Sequence, residues 1–218
     1  MRPDAKSEVL RYLGYCGQEL TPELDARIEA AMAECREAAR PRHLLRRFAL
    51  KHETAGMHVA DSGIILSGES VVHYLTGARE VALLAATLGA ELETLIRRKQ
   101  HTDMAYALML DAAATQLVEY TCDDAGDVLR AQVADEGLCV GERFSPGYGD
   151  IPMALQPSLL ALLDAPRRIG LSCTDKYILT PRKSVTALIG LFTGQPPEGG
   201  NGCAQCSMRY SCVIRKQR

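Results

Sequence analysis

The sequence has no tryptophan, only three phenylalanines and no long apolar run. Its longest apolar stretch, residues 81–90, is ten residues long, whereas a membrane-spanning helix needs about 20. The first residues also lack the apolar core of a secretory signal. We therefore expect a cytoplasmic protein that does not insert into membranes.

Neither sign of charge dominates the sequence. It has 25 basic and 27 acidic residues, giving a formal net charge of −2, and no basic patch is interleaved with aromatic residues. This balance argues against a general binder of nucleic acid. The phosphate-binding pattern Gly-x-x-x-x-Gly-Lys and the dinucleotide-binding pattern Gly-x-Gly-x-x-Gly are also missing, which excludes two common nucleotide-binding loops.

The length suits one domain with an extension at each end. A chain of 218 residues typically buries about 70% of the surface of its unfolded form. We divide it into an N-terminal helical arm (residues 1–42), an α+β domain (residues 43–193) and a Gly/Pro-rich linker with a cysteine-containing tail (residues 194–218). Without a secretory signal, the eight cysteines are expected to be reduced thiols.

We predict an α+β fold with a twisted, mainly antiparallel sheet, a long central helix and an N-terminal helical arm. The predicted helices cover residues 7–15, 22–39, 70–75, 90–130 and 156–164, and the predicted strands cover residues 43–50, 64–66, 81–87, 168–173, 177–179 and 185–192. In the arm, Thr21 and Pro22 are typical of a helix start and Pro41 of a helix end. Its apolar stripe, from Leu24 to Cys35, needs a partner in the rest of the chain or in another protein.

The long helix, with a break expected near residues 100–102, is apolar on two opposite sides. We therefore expect it to be sandwiched between other parts of the fold. Asp111 and Glu119 are notable on such a helix, because a buried carboxylate needs a partner or a ligand. For Asp111, a structural arginine or a backbone donor is the favoured partner.

The segment 143–150, Arg-Phe-Ser-Pro-Gly-Tyr-Gly-Asp, concentrates residues that helix or strand packing does not require. Its glycines let the backbone turn sharply and be approached closely, and Pro146 stiffens the entry. Arg143 can offer a planar fork of donors to a carboxylate or phosphate, and Tyr148 can offer an aromatic face and a hydroxyl. From these residues alone, the segment is either a ligand-binding loop or an ordinary tight turn with a surface arginine.

Three cysteines of the tail, Cys203, Cys206 and Cys212, are close enough in sequence to converge on one metal ion or cluster. Thiolates suit zinc and iron–sulfur sites, but the spacing matches neither a ferredoxin nor a zinc finger. A fourth ligand would come from Cys173, a histidine, a partner chain or an exogenous ligand. Redox-active thiols and a tail without metal are the alternatives.

Residues 143–148 resemble the Arg-x-x-x-Gly-Tyr loop of the activation domain of cobalamin (vitamin B12)-dependent methionine synthase, the module that binds S-adenosylmethionine (AdoMet). Residues 81–89 and 103–119 are similar to the strand and long helix before that loop in stand-alone members of the family. Residues 169–187 are similar to the pair of strands after it. Order and spacing agree over roughly residues 60–192, and the resemblance is to a stand-alone activation domain.

The resemblance implies a set of AdoMet contacts. Arg143 would hold the AdoMet carboxylate, and Glu119 would meet its ammonium group. The backbone of Ser145–Gly147 would contact the methionyl part or the adenine, and Tyr148 would pack against the ligand or the corrin edge. Further residues line the cleft if the following strands lie beside the loop, namely Thr174, Asp175, Tyr177, Lys183 and Ser184.

The resemblance also implies a partner. The sequence has no Asp-x-His-x-x-Gly motif of the kind that ligates cobalt in cobalamin carriers, so the cobalamin must arrive on another protein. That protein would be a methionine synthase core or another corrinoid methyl carrier. The chain would hold AdoMet over the cobalt of an inactive cob(II)alamin while a low-potential donor delivers an electron, so its own contribution is placement.

Two departures from the fused methionine synthase domain bear on AdoMet binding. The aromatic-containing segment that follows the last strand there has no counterpart, because residues 194–197 run directly towards the cysteines. An acidic residue near the start of the fused domain also has no clear match. Two alternatives are a non-catalytic docking or assembly subunit with a structural metal in its tail, and an AdoMet-dependent methyltransferase of small molecules, whose usual glycine motif is absent.

Overall fold

The structure, a computed structural model, describes residues 5–53, 56–197 and 210 of the chain. The strands within these residues are β1 (Arg42–Glu53), β2 (Gly56–Val59), β3 (Ile65–Leu66), β4 (Ala78–Thr87), β5 (Cys139–Phe144), β6 (Ser172–Cys173), β7 (Leu179–Thr180) and β8 (Ser184–Phe192). Six of them form one antiparallel sheet in the order β3-β2-β1-β4-β8-β5. The strands β6 and β7 pair separately as a short hairpin.

The α-helices of the described residues are α1 (Ala5–Tyr12), α2 (Pro22–Ala38), α3 (Glu69–Leu75), α4 (Ala90–Thr102), α5 (Met104–Val133), α6 (Gln156–Leu162) and α7 (Ala165–Ile169). The central helix α5 is 30 residues long. Among the described residues, no helix is long and apolar enough to cross a membrane. The predicted α+β fold, with a mainly antiparallel sheet and a long central helix, is confirmed.

The central strand β4 is covered on both faces, and its residues from Val81 to Ala86 are fully buried. Successive side chains of a strand point to opposite faces, so they join two different cores. Val81, Leu83 and Ala85 pack in a cluster with residues of α3 and α6. The alternate residues, Ala82, Leu84 and Ala86, pack in a cluster with the second half of α5.

The long helix α5 connects the arm to the sheet. Its first half, including Met109 and Leu110, packs with α1, α2 and α4, and its second half, including Cys122 and Leu129, packs against β4 and β8. The expected burial on opposite sides is confirmed along most of the helix. The first two turns differ, because Met104 is 58% exposed and Leu108 is 57% exposed.

The N-terminal arm finds its apolar partner within the chain. Thr21 caps α2, where its Oγ1 accepts a hydrogen bond from the backbone N–H of Leu24 at 3.3 Å, and Pro22 occupies the first turn. Ile28, Met32 and Cys35 on the predicted stripe are buried against α4 and α5. The arm and the long helix therefore share one core.

Several predicted elements differ from the structure. Residues 168–173 are predicted as a strand, but α7 ends at Ile169 and Gly170 turns the chain with a φ of 68°, a left-handed residue typical of a helix end. The strands β2 and β5 are not among the predicted ones. β2 has only four residues, and β5 contains Gly141 and two charged residues and carries a bulge before Arg143. The helix break falls at Asp103.

Candidate functional site

Arg143 lies near the end of β5, at the edge of the sheet and beside α5. Its Nη2 donates to Oε2 of Glu119 at 2.8 Å and lies 3.1 Å from Oδ1 of Asp123. These two acids are four residues apart on α5, so they lie on the same face of the helix. The structure therefore places one guanidinium against two carboxylates.

The charges of this cluster remain accessible to a ligand. The side chain of Arg143 is 27% exposed, and those of Glu119 and Asp123 are 43% and 38% exposed. Burial lowers the pKa of Arg143, but the Cys122 thiol and the two carboxylates raise it, and the net shift is upward. Arg143 is thus a permanent cation that can bind an anionic group beside two groups that can bind a cation.

Cys122 lies next to this cluster on α5 and is fully buried. Burial raises the pKa of its thiol to about 12, an effect that the charge of Arg143 only partly opposes. The thiol is therefore protonated at neutral pH. A protonated, buried thiol is a poor nucleophile, and Cys122 packs in the core that α5 shares with β4 and β8.

The residues after Arg143 form a tight loop with its own hydrogen bonds. The N–H of Tyr148 donates to the carbonyl of Ser145 at 3.1 Å, and the N–H of Gly147 donates to the carbonyl of Ile151 at 2.9 Å. Gly147 has a φ of 91°, and a Cβ at this position would lie 2.6 Å from Sδ of Met153. A residue with a side chain would therefore be strained and crowded here. Pro146 is buried.

Tyr148 and Met153 give the loop an apolar outer surface. The side chain of Tyr148 is 59% exposed, and Met153, which lies beside Gly147, is 39% exposed. The backbone of the loop is held by internal bonds, whereas these two side chains remain available to another molecule. An aromatic residue with a free face can stack on a flat ligand.

The structure pairs Arg143 with Glu119, and the loop Ser145–Tyr148 begins two residues after Arg143 in the sequence. Asp111 lies two turns before Glu119 and instead pairs with Lys183, whose Nζ is 2.9 Å from Asp111 Oδ1 and donates to Oγ1 of Thr115 at 2.8 Å. The prediction that Asp111 has a partner within the protein is correct, but the partner is a lysine and not the expected arginine or backbone donor.

Other residues considered for the cleft make local contacts. The hydroxyl of Ser184 lies 2.8 Å from Oγ1 of Thr87 and 2.7 Å from the carbonyl of Pro181. Oγ1 of Thr174 accepts from the N–H of Ile178 at 3.2 Å, within the turn between β6 and β7. These contacts stabilise turns and strand ends.

Asp123 is a site residue that the sequence reasoning missed. Asp123 lies four residues after Glu119, and this spacing on a helix indicates that both acids lie on one face. The sequence contains a run of two aspartates at 123–124, and a run of charge on a helix usually marks a solvated face. Only the position of β5 beside α5 shows that Asp123 reaches Arg143.

The predicted metal ligands Cys203, Cys206 and Cys212 lie outside the described residues. Within residues 5–53, 56–197 and 210, no group of three or more His, Cys, Asp or Glu side chains is placed to hold a metal ion. Cys173, considered as a fourth ligand, is a free, half-buried cysteine.

Comparisons of the sequence found no matching family model and no matching curated protein. Comparison of the structure found a clear similarity to the MetH reactivation domain, in a crystal structure of that domain bound to AdoHcy. The match has a TM-score of 0.64 at 14% sequence identity and covers 89% of this chain and 77% of that domain. This likeness confirms the fold that the resemblance predicted.

Proposed function

We propose that this chain is a stand-alone activation domain that binds AdoMet and supports the reductive remethylation of cob(II)alamin on a separate corrinoid protein. One observation carries the proposal. The ion pair between Arg143 and Glu119 lies beside the loop Ser145–Tyr148, in a fold shared with a domain whose crystal structure contains AdoHcy. AdoHcy and AdoMet have the same amino-acid and adenosyl groups and differ by the methyl group.

The charged groups suit the methionyl end of AdoMet, which carries a carboxylate and an ammonium group on one carbon. Arg143 offers the carboxylate a planar fork of donors, and Glu119 offers the ammonium group an acceptor. A guanidinium has five N–H donors, so Arg143 can bind the ligand while it keeps its contact with Asp123. Ligand binding then replaces only the bond between Arg143 and Glu119.

The loop would fix the rest of the ligand. The backbone of Ser145–Gly147 would contact the methionyl part or the adenine, and the exposed ring of Tyr148 would pack against the ligand or the corrin edge. In the proposed reaction AdoMet supplies the methyl group, the partner supplies the cobalamin and a low-potential donor supplies one electron. The chain orients the methyl group and shields it from water, which is a proximity effect.

The proposed partner is a methionine synthase core or another corrinoid methyl carrier. It would dock on the surface formed by Tyr148 and Met153, whose side chains are 59% and 39% exposed. The contact should be transient and at the smaller end of interface sizes, because the carrier must leave to resume turnover.

We further propose that Cys203, Cys206 and Cys212 bind an iron–sulfur cluster or a zinc ion, since thiolates at this spacing can converge on one site. A cluster would relay the electron towards the cobalamin, and zinc would be structural. Both roles leave the AdoMet contacts to the domain that carries Arg143.

A docking or assembly subunit is the second candidate. It is favoured by the fact that Arg143 already binds two carboxylates of α5, an arrangement that also suits a purely structural role. Such a subunit would carry the loop for folding alone and would bind no AdoMet.

Calorimetric titration distinguishes the two functions. We expect saturable binding of AdoMet and AdoHcy to the full chain, and much weaker binding of adenosine, which lacks the groups that Arg143 and Glu119 hold. Absence of binding by either methionyl ligand at millimolar concentration would contradict the proposed function and leave the docking subunit. Equal binding of adenosine would place the ligand away from Arg143.

A further inference from the structure

The N-terminus of helix α3 has no side-chain cap from the residue that precedes it. The residue before it, Gly68, has no side chain, and the first N–H groups of a helix have no partner within the helix. The carboxylate of Asp150 supplies the missing acceptor from 80 residues away. Its Oδ1 and Oδ2 accept from the backbone N–H of Ser70 at 3.2 and 3.0 Å.

The two segments are shaped for this contact. A Cβ on Gly68 would lie 2.7 Å from Cγ of Asp150, so only glycine leaves room for the carboxylate. A Cβ on Gly149 would lie 2.7 Å from Cβ of Ser70. Both glycines have a positive φ, of 131° and 54°. Glycine at both positions therefore lets the loop and the start of α3 approach each other closely.

The hydrogen bonds at the start of α3 favour the charged form of Asp150. The N–H of Ser70, followed by those of neighbouring residues, lowers the pKa of the carboxyl group, against a smaller opposing effect of desolvation. The carboxylate is therefore ionised at neutral pH and accepts charge-assisted hydrogen bonds.

The other end of α3 holds the strand before the loop. The ring of Tyr74 stacks on Phe144 with centroids 5.0 Å apart, and its hydroxyl donates to the carbonyl of Glu142. The same hydroxyl accepts from the N–H of Gly190 on β8 at 3.2 Å. Tyr74 is buried, and burial raises its pKa to about 12, so the hydroxyl remains a donor.

We propose that Asp150 is a positioning residue, which closes the ligand loop onto α3 and thereby fixes the geometry of the segment from Arg143 to Tyr148. This segment is held before Arg143 by Tyr74 and after Tyr148 by Asp150. Together with the pairing of β5 and β8, these two contacts of α3 fix where the loop lies relative to Glu119 on α5. The inference rests on the proposed function for its ligand, but the loop geometry it describes exists without one.

Hydrogen exchange and calorimetry on three variants of the full chain test this role. Asp150→Ala should increase exchange of the loop amides 145–151 and of the first turn of α3. It should also weaken AdoMet binding about fivefold, on the assumption that the whole stabilising effect of a typical helix cap is transmitted to the ligand site. Asp150→Asn keeps an acceptor oxygen and should restore most of both properties, since asparagine caps helices about as well as aspartate. Asp135→Ala, an exposed aspartate after α5, is the control and should change neither.

Hydrogen exchange tests the role of Asp150 in positioning the loop, and calorimetry tests whether that position matters for AdoMet binding. If the chain binds no AdoMet, the proposed function fails, and exchange alone still decides the role of Asp150. Unchanged exchange of the loop in Asp150→Ala would overturn the inference, whatever the ligand. If Asp150→Ala also alters exchange in β4 and α5, the variant has lost its fold generally. Asp150→Asn, provided that β4 and α5 exchange as in the wild type, then decides the role of Asp150. Increased exchange with unchanged AdoMet affinity would overturn the link from loop to ligand.

Discussion

Arg143 already has two carboxylate partners in the protein, and a ligand carboxylate must compete with one of them, Glu119, for the guanidinium. Both acids are more than a third exposed, and ion pairs at such positions are screened by water and contribute little to stability. The pairs therefore orient the guanidinium more than they hold the fold together. Replacing Arg143 should affect the ligand before it affects folding.

We predict that Arg143→Ala weakens AdoMet binding by about 1.5–3 kcal/mol, the range for a hydrogen bond to a charged group. The AdoMet affinity of Arg143→Lys should lie between those of Arg143→Ala and the wild type, since lysine keeps the charge but loses the planar fork of donors. The control is Arg97→Ala, an arginine on α4 that is 68% exposed and pairs with Glu93 of the same helix. Calorimetry gives the affinities and circular dichroism the folding. An unchanged affinity in a folded Arg143→Ala would move the site away from this residue.

The cysteines differ in reactivity according to their surroundings. Burial raises the thiol pKa of both Cys35 and Cys122 to about 12, so almost no thiolate is present near pH 8. Cys16 and Cys139 are exposed. We predict that iodoacetamide alkylates the exposed pair in the native protein, and the buried pair only after unfolding. Mass spectrometry of peptides measures this. Alkylation of Cys122 at the rate of Cys16 in the folded protein would contradict the packing of α5 on the sheet.

At the scale of elements, residues with a local signal were predictable. Thr21 and Pro22 place the start of α2, and the apolar run 81–87 places β4, because capping and burial act within a few residues. The strand β5 was not predictable in this way, since its contacts are with β8, about 50 residues further along the chain. The nearness of Glu119 to Arg143 came from the family resemblance, and the contacts of Asp123 and Asp150 required the structure.

The cap of α2 gives a test at this scale. We predict that Thr21→Ala lowers the free energy of unfolding by about 1 kcal/mol, because the N–H of Leu24 loses its side-chain acceptor. Thr94→Ala is the control. Thr94 is exposed within α4, where alanine favours the helix, so this variant should be neutral or stabilising. Denaturant titration measures both, and equal effects of the two substitutions would contradict the capping role.

At the scale of the whole molecule, the candidate site draws on distant parts of the chain. α5 provides Glu119 and Asp123, β5 provides Arg143 and α3 supports the loop. The tail with Cys203, Cys206 and Cys212 follows the last strand in sequence and lies outside the described residues. Its chemistry is therefore tested separately from that of the candidate site around Arg143.

We predict that protein purified without oxygen contains a metal bound by the three tail cysteines. An iron–sulfur cluster would make the protein brown, with iron and sulfide in proportion, and zinc would leave it colourless with one metal ion per chain. Replacing Cys203, Cys206 and Cys212 together by serine should remove the metal, whereas Cys16→Ser should retain it. Elemental analysis measures both variants. A metal-free and fully active preparation would refute both forms of the site.

The partner reaction tests the molecule as a whole. A corrinoid protein carrying cob(II)alamin is incubated with AdoMet and a low-potential reductant, and methylcobalamin formation is followed by absorbance. On the proposed function we expect this chain to raise the rate, because it would hold the methyl donor against the cobalt of the carrier. Arg143→Ala should lower the rate at subsaturating AdoMet, and Arg97→Ala should not. The carrier should bind best in its cob(II)alamin form, since activation competes with the methyl-transfer complexes of turnover. If no corrinoid protein of the same organism is methylated faster with the chain than without it, the activation function is wrong and the docking subunit replaces it.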